Sequence, residues 1–144
     1  MNSLRGLIGL ALILAGLHDP EPESGCPDQI QCAALAVVSE ANGESFLGQV
    51  AVARVIFERG RDACSVIQAP GQFAGIEDWP PPRDPYRWGA KAWRIALAAA
   101  WVARESTWEA PCDGSTHFYR FDAVSPAWAG ESCIIGNHAF TKPE

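Results

Sequence analysis

Apolar residues recur at helical spacing through the first half of the chain. Asp28 can cap a first helix, which the Asn-Gly pair at 42–43 ends in a left-handed turn. Its apolar positions, spaced i, i+3 and i+4, are Ile30, Ala33, Ala34, Val37, Val38 and Ala41. Ser45 caps a second helix that ends at about residues 59–60 and is apolar nearly all round, which predicts a buried central helix.

The remaining pattern predicts two more helices and a small β element. Asp62 precedes a short helix over residues 63–68, and five prolines within residues 70–85 predict an ordered loop. Asp84 and Pro85 then predict the start of a long, alanine-rich helix over residues 86–104. Short apolar runs over 117–121 and 133–138 predict strands. We therefore expect an α+β domain that is mainly α.

The first 17 residues have the arrangement of an export signal. Arg5 precedes an uncharged, mostly apolar run over residues 6–17, which is shorter than the roughly 20 residues of a transmembrane helix. We expect residues 1–17 to be a signal peptide or a releasable signal anchor, 18–26 a linker and 27–144 one domain. Any membrane contact is then limited to the N-terminal segment. A buried N-terminal core helix is the alternative.

Composition and charge narrow the possible partners. Hydrophobic residues make up 48% of the 144 residues and charged residues 19%, which is typical of a globular domain. The 17 acidic and 11 basic side chains give a formal net charge of −6. This charge argues against nucleic acid, whose phosphates require a basic face. Six Trp, six Phe and two Tyr are sufficient for a stacking surface as well as a core.

The five cysteines are consistent with export. Exported cysteines tend to form disulfides, so we interpret them first as structural residues. We expect a disulfide between Cys112 and Cys133, and a second between Cys64 and either Cys26 or Cys32. One cysteine is then left over.

Two other uses of the cysteines are weighed against disulfides. Cys112 with His117 and Cys133 with His138 repeat one spacing, which a zinc site of two cysteines and two histidines can use. Residues five apart on a strand point to opposite faces, however, so we expect no metal and no cofactor. Cys64 as the nucleophile of a peptidase or amidase is disfavoured, because it lies in an ordinary amphipathic run.

Glu40 is the candidate catalytic residue. It lies in the last turn of the first predicted helix, beside the apolar stripe. Apolar neighbours and the negative end of a helix dipole both raise a carboxyl pKa. A general acid that works near neutral pH needs such a pKa. A solvated surface glutamate is the alternative interpretation.

Five sequence blocks, in order and at matching spacing, resemble the SleB-type cell wall hydrolases, a family that includes spore cortex-lytic enzymes. The blocks are SEANGE at 39–44, GQVAVA at 48–53, QF at 72–73, HFY at 117–119 with SPAW at 125–128, and IGNHAF at 135–140. The resemblance spans about residues 31–140. Ser39 and Asn42 replace the family's usual Gly and Arg, and the loop at 75–85 is unlike that of the spore enzymes.

The resemblance implies a lysozyme-like fold and cleavage of peptidoglycan between N-acetylmuramic acid and N-acetylglucosamine. Glu40 occupies the position of the family's acid and base. We expect a lytic transglycosylase, in which the 6-hydroxyl of muramic acid attacks and one carboxylate is sufficient. Ordinary glycosidases place a second carboxylate at roughly 5–9.5 Å. We expect none to face Glu40, and Glu44, Glu77 and Asp78 are the residues that would contradict this expectation.

Segments from several parts of the chain are expected to converge on Glu40 around an open cleft, because the substrate is a long polymer. The candidate substrate-binding residues are Glu44, Gln72, Phe73, Phe118, Tyr119 and His138. Core packing or a structural hydrogen bond is an equally open interpretation for each. We expect a monomer in the periplasm, the cell envelope or the extracellular space. A lysozyme-type hydrolase, a non-catalytic peptidoglycan-binding module and a peptidase or amidase are the alternatives.

Overall fold

Four helices precede three strands in the part of the chain that the computed structural model describes, which is residues 28–59, 62–70, 72–73, 89–107 and 109–143. They are α1 (Gln29–Ala41), α2 (Phe46–Glu58), α3 (Ala63–Gln68), α4 (Ala90–Glu105), β1 (His117–Arg120), β2 (Ala129–Ile135) and β3 (His138–Pro143). The predicted α+β class, mainly α, is confirmed. The predicted signal segment, the linker and most of the proline-rich loop lie outside the described residues.

The predicted N-terminal caps of α1 and α2 are confirmed, and α3 has a cap of the same kind. Asp28 Oδ1 accepts the backbone N–H of Gln31 at 2.7 Å, and the Gln31 side chain accepts the backbone N–H of Asp28 at 3.3 Å. Ser45 Oγ accepts a backbone N–H at the start of α2 at 3.1 Å, and Asp62 caps α3 in the same way at 3.0 Å. Gly43, with φ of 88°, supplies the left-handed turn that follows α1. These local hydrogen bonds fix where each helix begins.

The predicted start of α4 at residue 86 is wrong. The helix begins at Ala90, and Gly89 precedes it with φ of 95°. A residue with this φ cannot belong to a right-handed helix, so the favourable pattern of the preceding residues does not extend α4. Asp84 and Pro85, the predicted cap, lie outside the described residues.

Two helices share the central position that the sequence predicts for α2. Nine of the 13 residues of α1 are buried, and eight of the 13 in α2. The first helix packs against α2, α3 and α4, and α4 contributes four buried alanines, Ala96, Ala98, Ala99 and Ala100. Small side chains at this face let the helix axes approach closely. None of the described helices has the length and apolar composition needed to cross a bilayer.

The strands form an antiparallel sheet in the order β1-β3-β2. The prediction of a single strand over 133–138 is wrong, because this run contains the turn of a hairpin. Gly136 and Asn137 connect β2 to β3, and Gly136 has φ of 57°. A glycine at the first position of a two-residue turn is a hairpin signal, which the continuous apolar run obscured in the sequence.

Two disulfides connect segments that are distant in sequence. The predicted bond between Cys112 and Cys133 is confirmed, and it ties the segment before β1 to β2. Cys64 bonds to Cys32, one of its two predicted partners, and this bond ties α3 to α1. Both cysteines of the alternative zinc site are therefore bonded to each other. Cys26 lies outside the described residues.

Replacing Cys112 and Cys133 together by alanine should lower the free energy of unfolding by about 3 kcal/mol. The two residues are 21 positions apart, and without the bond the unfolded chain gains the conformational freedom that closing this loop removes. Urea unfolding followed by circular dichroism measures the change. Cys26→Ala is the control, since it leaves both described disulfides intact. A loss below about 1 kcal/mol in the double variant would contradict the stabilising role.

Candidate active site

An open groove with a volume of about 570 Å³ lies between the helical ends and the sheet. The described residues that line it are Glu40, Arg59, Gln72, Phe73, His117, Phe118, Tyr119, Arg120, Trp128, His138 and Pro143. They come from the ends of α1 and α2, the segment after α3, strands β1 and β3, and the turn before β2. The convergence of these segments on Glu40, predicted from the sequence, is therefore confirmed. We call this cavity the main groove.

Glu40 is the only carboxylate among the described residues that line the main groove. Its side chain is half-buried at the end of α1, and burial raises the pKa of this carboxyl. No basic residue lies in the last turn of α1 to oppose that effect. No hydrogen bond from a described residue reaches the carboxylate either. The predicted position of Glu40 in a groove and its raised pKa are confirmed.

An aromatic cluster forms the floor of the main groove. The ring of Phe118 lies 6.4 Å from Phe73, 5.9 Å from Phe140 and 5.3 Å from His138, measured between centroids. Phe73, Phe140 and His138 are buried, and Phe118 is partly exposed. Phe73 and Phe118 thus serve both as part of the core and as an apolar wall of the groove.

Aromatic rings form one rim of the groove, with Trp128 exposed and His117 and Tyr119 partly buried. Trp128, which is 46% exposed, lies 5.2 Å from His117 and 6.3 Å from Tyr119 between ring centroids. The Tyr119 hydroxyl forms hydrogen bonds with Ser132 at 2.9 Å and Ser125 at 3.3 Å. These bonds hold the Tyr119 ring in place and pack it edge-on against Trp128. The rim offers rigid rings on which a sugar can stack.

Glu44 lies behind the main groove and is not one of the residues that line it. Its Oε1 accepts the backbone N–H of Asn137 at 3.3 Å and lies 3.6 Å from His138 Nδ1. The Glu44 side chain is only 11% exposed. Glu77 and Asp78, the other predicted candidates for a second carboxylate, lie outside the described residues.

His138 connects Glu44 to the main groove. Burial lowers the pKa of the imidazole, an effect that Arg120 reinforces and Glu44 opposes. The 3.6 Å between His138 Nδ1 and Glu44 Oε1 is too long for a hydrogen bond, and Nδ1 has no hydrogen-bond partner among the described residues. Glu44 thus acts on this groove residue through its charge.

Arg59 is a groove residue that the sequence analysis did not single out. It follows the end of α2, where its Nε donates to the carbonyl of Thr116 at 2.9 Å and its Nη1 donates to Gln72 Oε1 at 3.0 Å. The guanidinium carbon lies 5.7 Å from the centroid of Phe73. All three contacts are between residues distant in sequence, so no local pattern marks Arg59. Four other lining residues were not among the predicted site residues, namely His117, Arg120, Trp128 and Pro143.

Comparisons with known proteins agree with the sequence resemblance. A family model described as cell wall hydrolase matches residues 43–141. The structure is similar to the catalytic domain of the germination-specific lytic transglycosylase SleB from Bacillus anthracis, with a TM-score of 0.64 and 28% identity. That match covers 85% of this chain and 100% of the SleB domain. No curated protein matches the sequence. Glu40 lies three residues before the family match begins.

Replacing Gly136 by alanine should destabilise the protein more than replacing Gly114. Both glycines have positive φ, 57° and 85°, so both variants carry the same kind of backbone strain. A Cβ at Gly136 would also collide with the Glu44 carboxylate, whereas a Cβ at Gly114 meets nothing within 4 Å. We expect Gly136→Ala to cost about 1 kcal/mol more than Gly114→Ala in urea unfolding, because the Glu44 carboxylate must turn away and lose its hydrogen bond to Asn137.

A double-mutant cycle identifies the source of this difference. Adding Glu44→Ala to Gly136→Ala removes the group that the new Cβ would meet. The double variant should therefore lose less stability than the sum of the two single variants. Strict additivity would show that the collision with Glu44 does not contribute.

Proposed function

Since the chain belongs to the cell wall hydrolase family and is an enzyme that acts on peptidoglycan, we propose that Glu40 is its general acid and base. In this proposal the enzyme cuts glycan strands between N-acetylmuramic acid and N-acetylglucosamine. The position of Glu40 carries the proposal. It is half-buried in an open groove and is the only carboxylate among the described residues that line it.

The proposed reaction is that of a lytic transglycosylase. Protonated Glu40 donates its hydrogen to the glycosidic oxygen while the bond from that oxygen to C1 of muramic acid breaks. The Glu40 carboxylate then removes the hydrogen of the muramic acid 6-hydroxyl as that oxygen bonds to C1. The product is a 1,6-anhydro sugar, water is not consumed, and Glu40 returns to its protonated form. The similarity to a domain described as a lytic transglycosylase supports this route over hydrolysis.

The environment of Glu40 suits this cycle. Burial raises its pKa, so a larger fraction of the carboxyl carries the hydrogen near neutral pH. The acid step needs that hydrogen, and the later base step needs the carboxylate that the acid step leaves behind. The rate of bond cleavage is therefore expected to fall as pH rises through the pKa of Glu40.

The residues around Glu40 are proposed to bind the sugars. Gln72, Tyr119 and His138 offer polar groups for hydroxyl and N-acetyl substituents, and Phe73 and Phe118 offer an apolar wall. Glu44 is proposed to act through the charge that it places 3.6 Å from His138 Nδ1. An open groove can bind the middle of a long glycan strand, because no end of the strand has to pass through a closed channel. No metal or cofactor takes part in the proposed chemistry.

We propose that the protein works as a monomer after export, in the periplasm, the cell envelope or the extracellular space. Its substrate lies outside the cytoplasm, and its two disulfides favour an oxidising compartment. Residues 1–17 are the proposed signal peptide or releasable anchor. Cell fractionation of the full chain tests the location, and N-terminal sequencing of the product tests whether residues 1–17 are removed. Retention of the full chain in the cytoplasm would contradict export.

Glu40→Gln should keep the fold and lose about 10²-fold to 10⁴-fold or more of the activity, because an amide cannot donate the required hydrogen. The activity is measured by digesting purified sacculi and quantifying the soluble products by mass spectrometry. Glu105→Gln is the matched control, since Glu105 also lies in the last turn of a helix but does not line the groove. A Glu40→Gln variant within about threefold of wild type would contradict the assignment.

The masses of the same products decide the reaction type. The wild-type protein should release anhydro-muropeptides. Products with reducing ends would mean that water attacks C1, and the enzyme would then be a lysozyme-type hydrolase that still uses Glu40. Freed peptides with intact glycan would contradict cleavage of the glycan itself.

Glu40→Gln should also be more stable than wild type at alkaline pH. A raised pKa in the folded state means that the native protein holds this hydrogen more tightly than the unfolded chain. Wild type therefore loses stability as pH rises from the ordinary glutamate pKa through the pKa of folded Glu40, and the glutamine variant does not. The stability difference measured by urea unfolding should grow as pH rises above the ordinary glutamate pKa and level off above the pKa of folded Glu40. A constant difference would contradict the raised pKa.

A further inference from the structure

A second cavity adjoins the main groove. Its volume is about 450 Å³, and it shares Arg59, Gln72 and His117 with the main groove. Its other described lining residues are Glu58, Val66, Ala69 and Thr116. The two cavities therefore meet at Arg59, Gln72 and His117.

Arg59 is held rigidly at the junction of the two cavities. Its hydrogen bonds to Thr116 and Gln72 and its contact with the Phe73 ring fix the plane of the guanidinium. The guanidinium has further N–H donors beyond those two. A planar group of donors with a fixed orientation matches the two oxygens of a carboxylate.

The charge of Arg59 is not neutralised within the described part of the chain. No described carboxylate forms an ion pair with it, and Glu58 lines the second cavity without doing so. Arg120, the other arginine of the main groove, differs, because its Nη2 lies 2.9 Å from Asp122 Oδ2. Burial removes water from the Arg59 cation and thereby lowers its pKa. No described carboxylate compensates for the lost water. His117 does not compete for an anion, because burial and Arg59 both lower its pKa.

We propose that Arg59 binds a carboxylate on the lactyl branch of N-acetylmuramic acid and that the second cavity receives this branch. The inference rests on the proposed function, because it takes the bound polymer to be peptidoglycan. Each muramic acid carries a lactyl ether on O3. Its carboxyl is either free or joined by an amide to a stem peptide that has carboxylates of its own. Arg59 thereby distinguishes muramic acid from N-acetylglucosamine and sets the register of the strand.

The test measures binding in the Glu40→Gln background, so that it does not depend on cleavage. Glu40→Gln and Glu40→Gln/Arg59→Gln proteins are co-sedimented with native sacculi and with sacculi whose carboxylates have been converted to neutral amides by carbodiimide and methylamine. We expect Arg59→Gln to weaken binding to native sacculi about tenfold and to leave binding to the neutral sacculi unchanged. Arg104→Gln, at an exposed position in the last turn of α4, is the matched control.

A third substrate identifies which carboxylate is bound. An amidase that removes stem peptides leaves the free lactyl carboxylate on the glycan. If the tenfold effect persists on these strands, Arg59 binds the lactyl carboxylate. If the effect disappears, Arg59 binds a carboxylate of the stem peptide.

Equal weakening on native and neutral sacculi, or no weakening on native sacculi, would overturn the proposal. Equal weakening would show that Arg59 only supports the fold through Thr116 and Gln72. Both substrates are tested with the same protein sample. Partial unfolding of Arg59→Gln would therefore lower binding to both substrates equally and would not change their ratio. Arg59→Lys, which keeps the charge without the planar group, should show an intermediate effect that is again specific to native sacculi. If Glu40→Gln cleaved sacculi normally, the catalytic proposal would fail while this binding comparison would still test Arg59.

Discussion

Packing of α1 against three other helices is the constraint on which the candidate site depends. Because this helix is buried on most of its sides, its last turn cannot move away from the neighbouring elements. Glu40 is therefore held at the wall of the main groove, with its carboxyl partly removed from water. The same burial that stabilises the core thus produces the raised pKa, so position and acidity have one physical origin.

The sheet supplies the opposite wall, and it is fixed by contacts with the helical half. Glu44, in the turn between α1 and α2, accepts the backbone N–H of Asn137 in the β2–β3 hairpin and faces His138. Gly136 leaves room for the close approach of this carboxylate, which a Cβ at that position would meet. The disulfide between Cys112 and Cys133 ties β2 to the segment before β1. The contacts of Glu44 hold the two walls of the groove at a defined separation, and the disulfide holds the sheet wall together.

The charge of the groove differs from that of the chain as a whole. The chain has a formal net charge of −6, yet Arg59 and Arg120 both line the main groove beside Glu40. Asp122 neutralises Arg120. The charge of Arg59 has no such partner within the described residues, which leaves a local positive field in an acidic protein. Such a field favours anions at the groove.

The sequence by itself determined the features that depend on neighbouring residues. Asp28, Ser45 and Asp62 mark helix starts because capping bonds join residues three positions apart. The apolar spacing likewise placed Glu40 at the edge of a buried face, because residues three and four positions apart lie on the same side of a helix. Only the tertiary structure decided which distant groups meet. The contacts of Arg59 with Thr116 and Gln72, and of Glu44 with the β2–β3 hairpin, join segments that are far apart in sequence. Such contacts follow from the packing of whole elements, which no local spacing encodes.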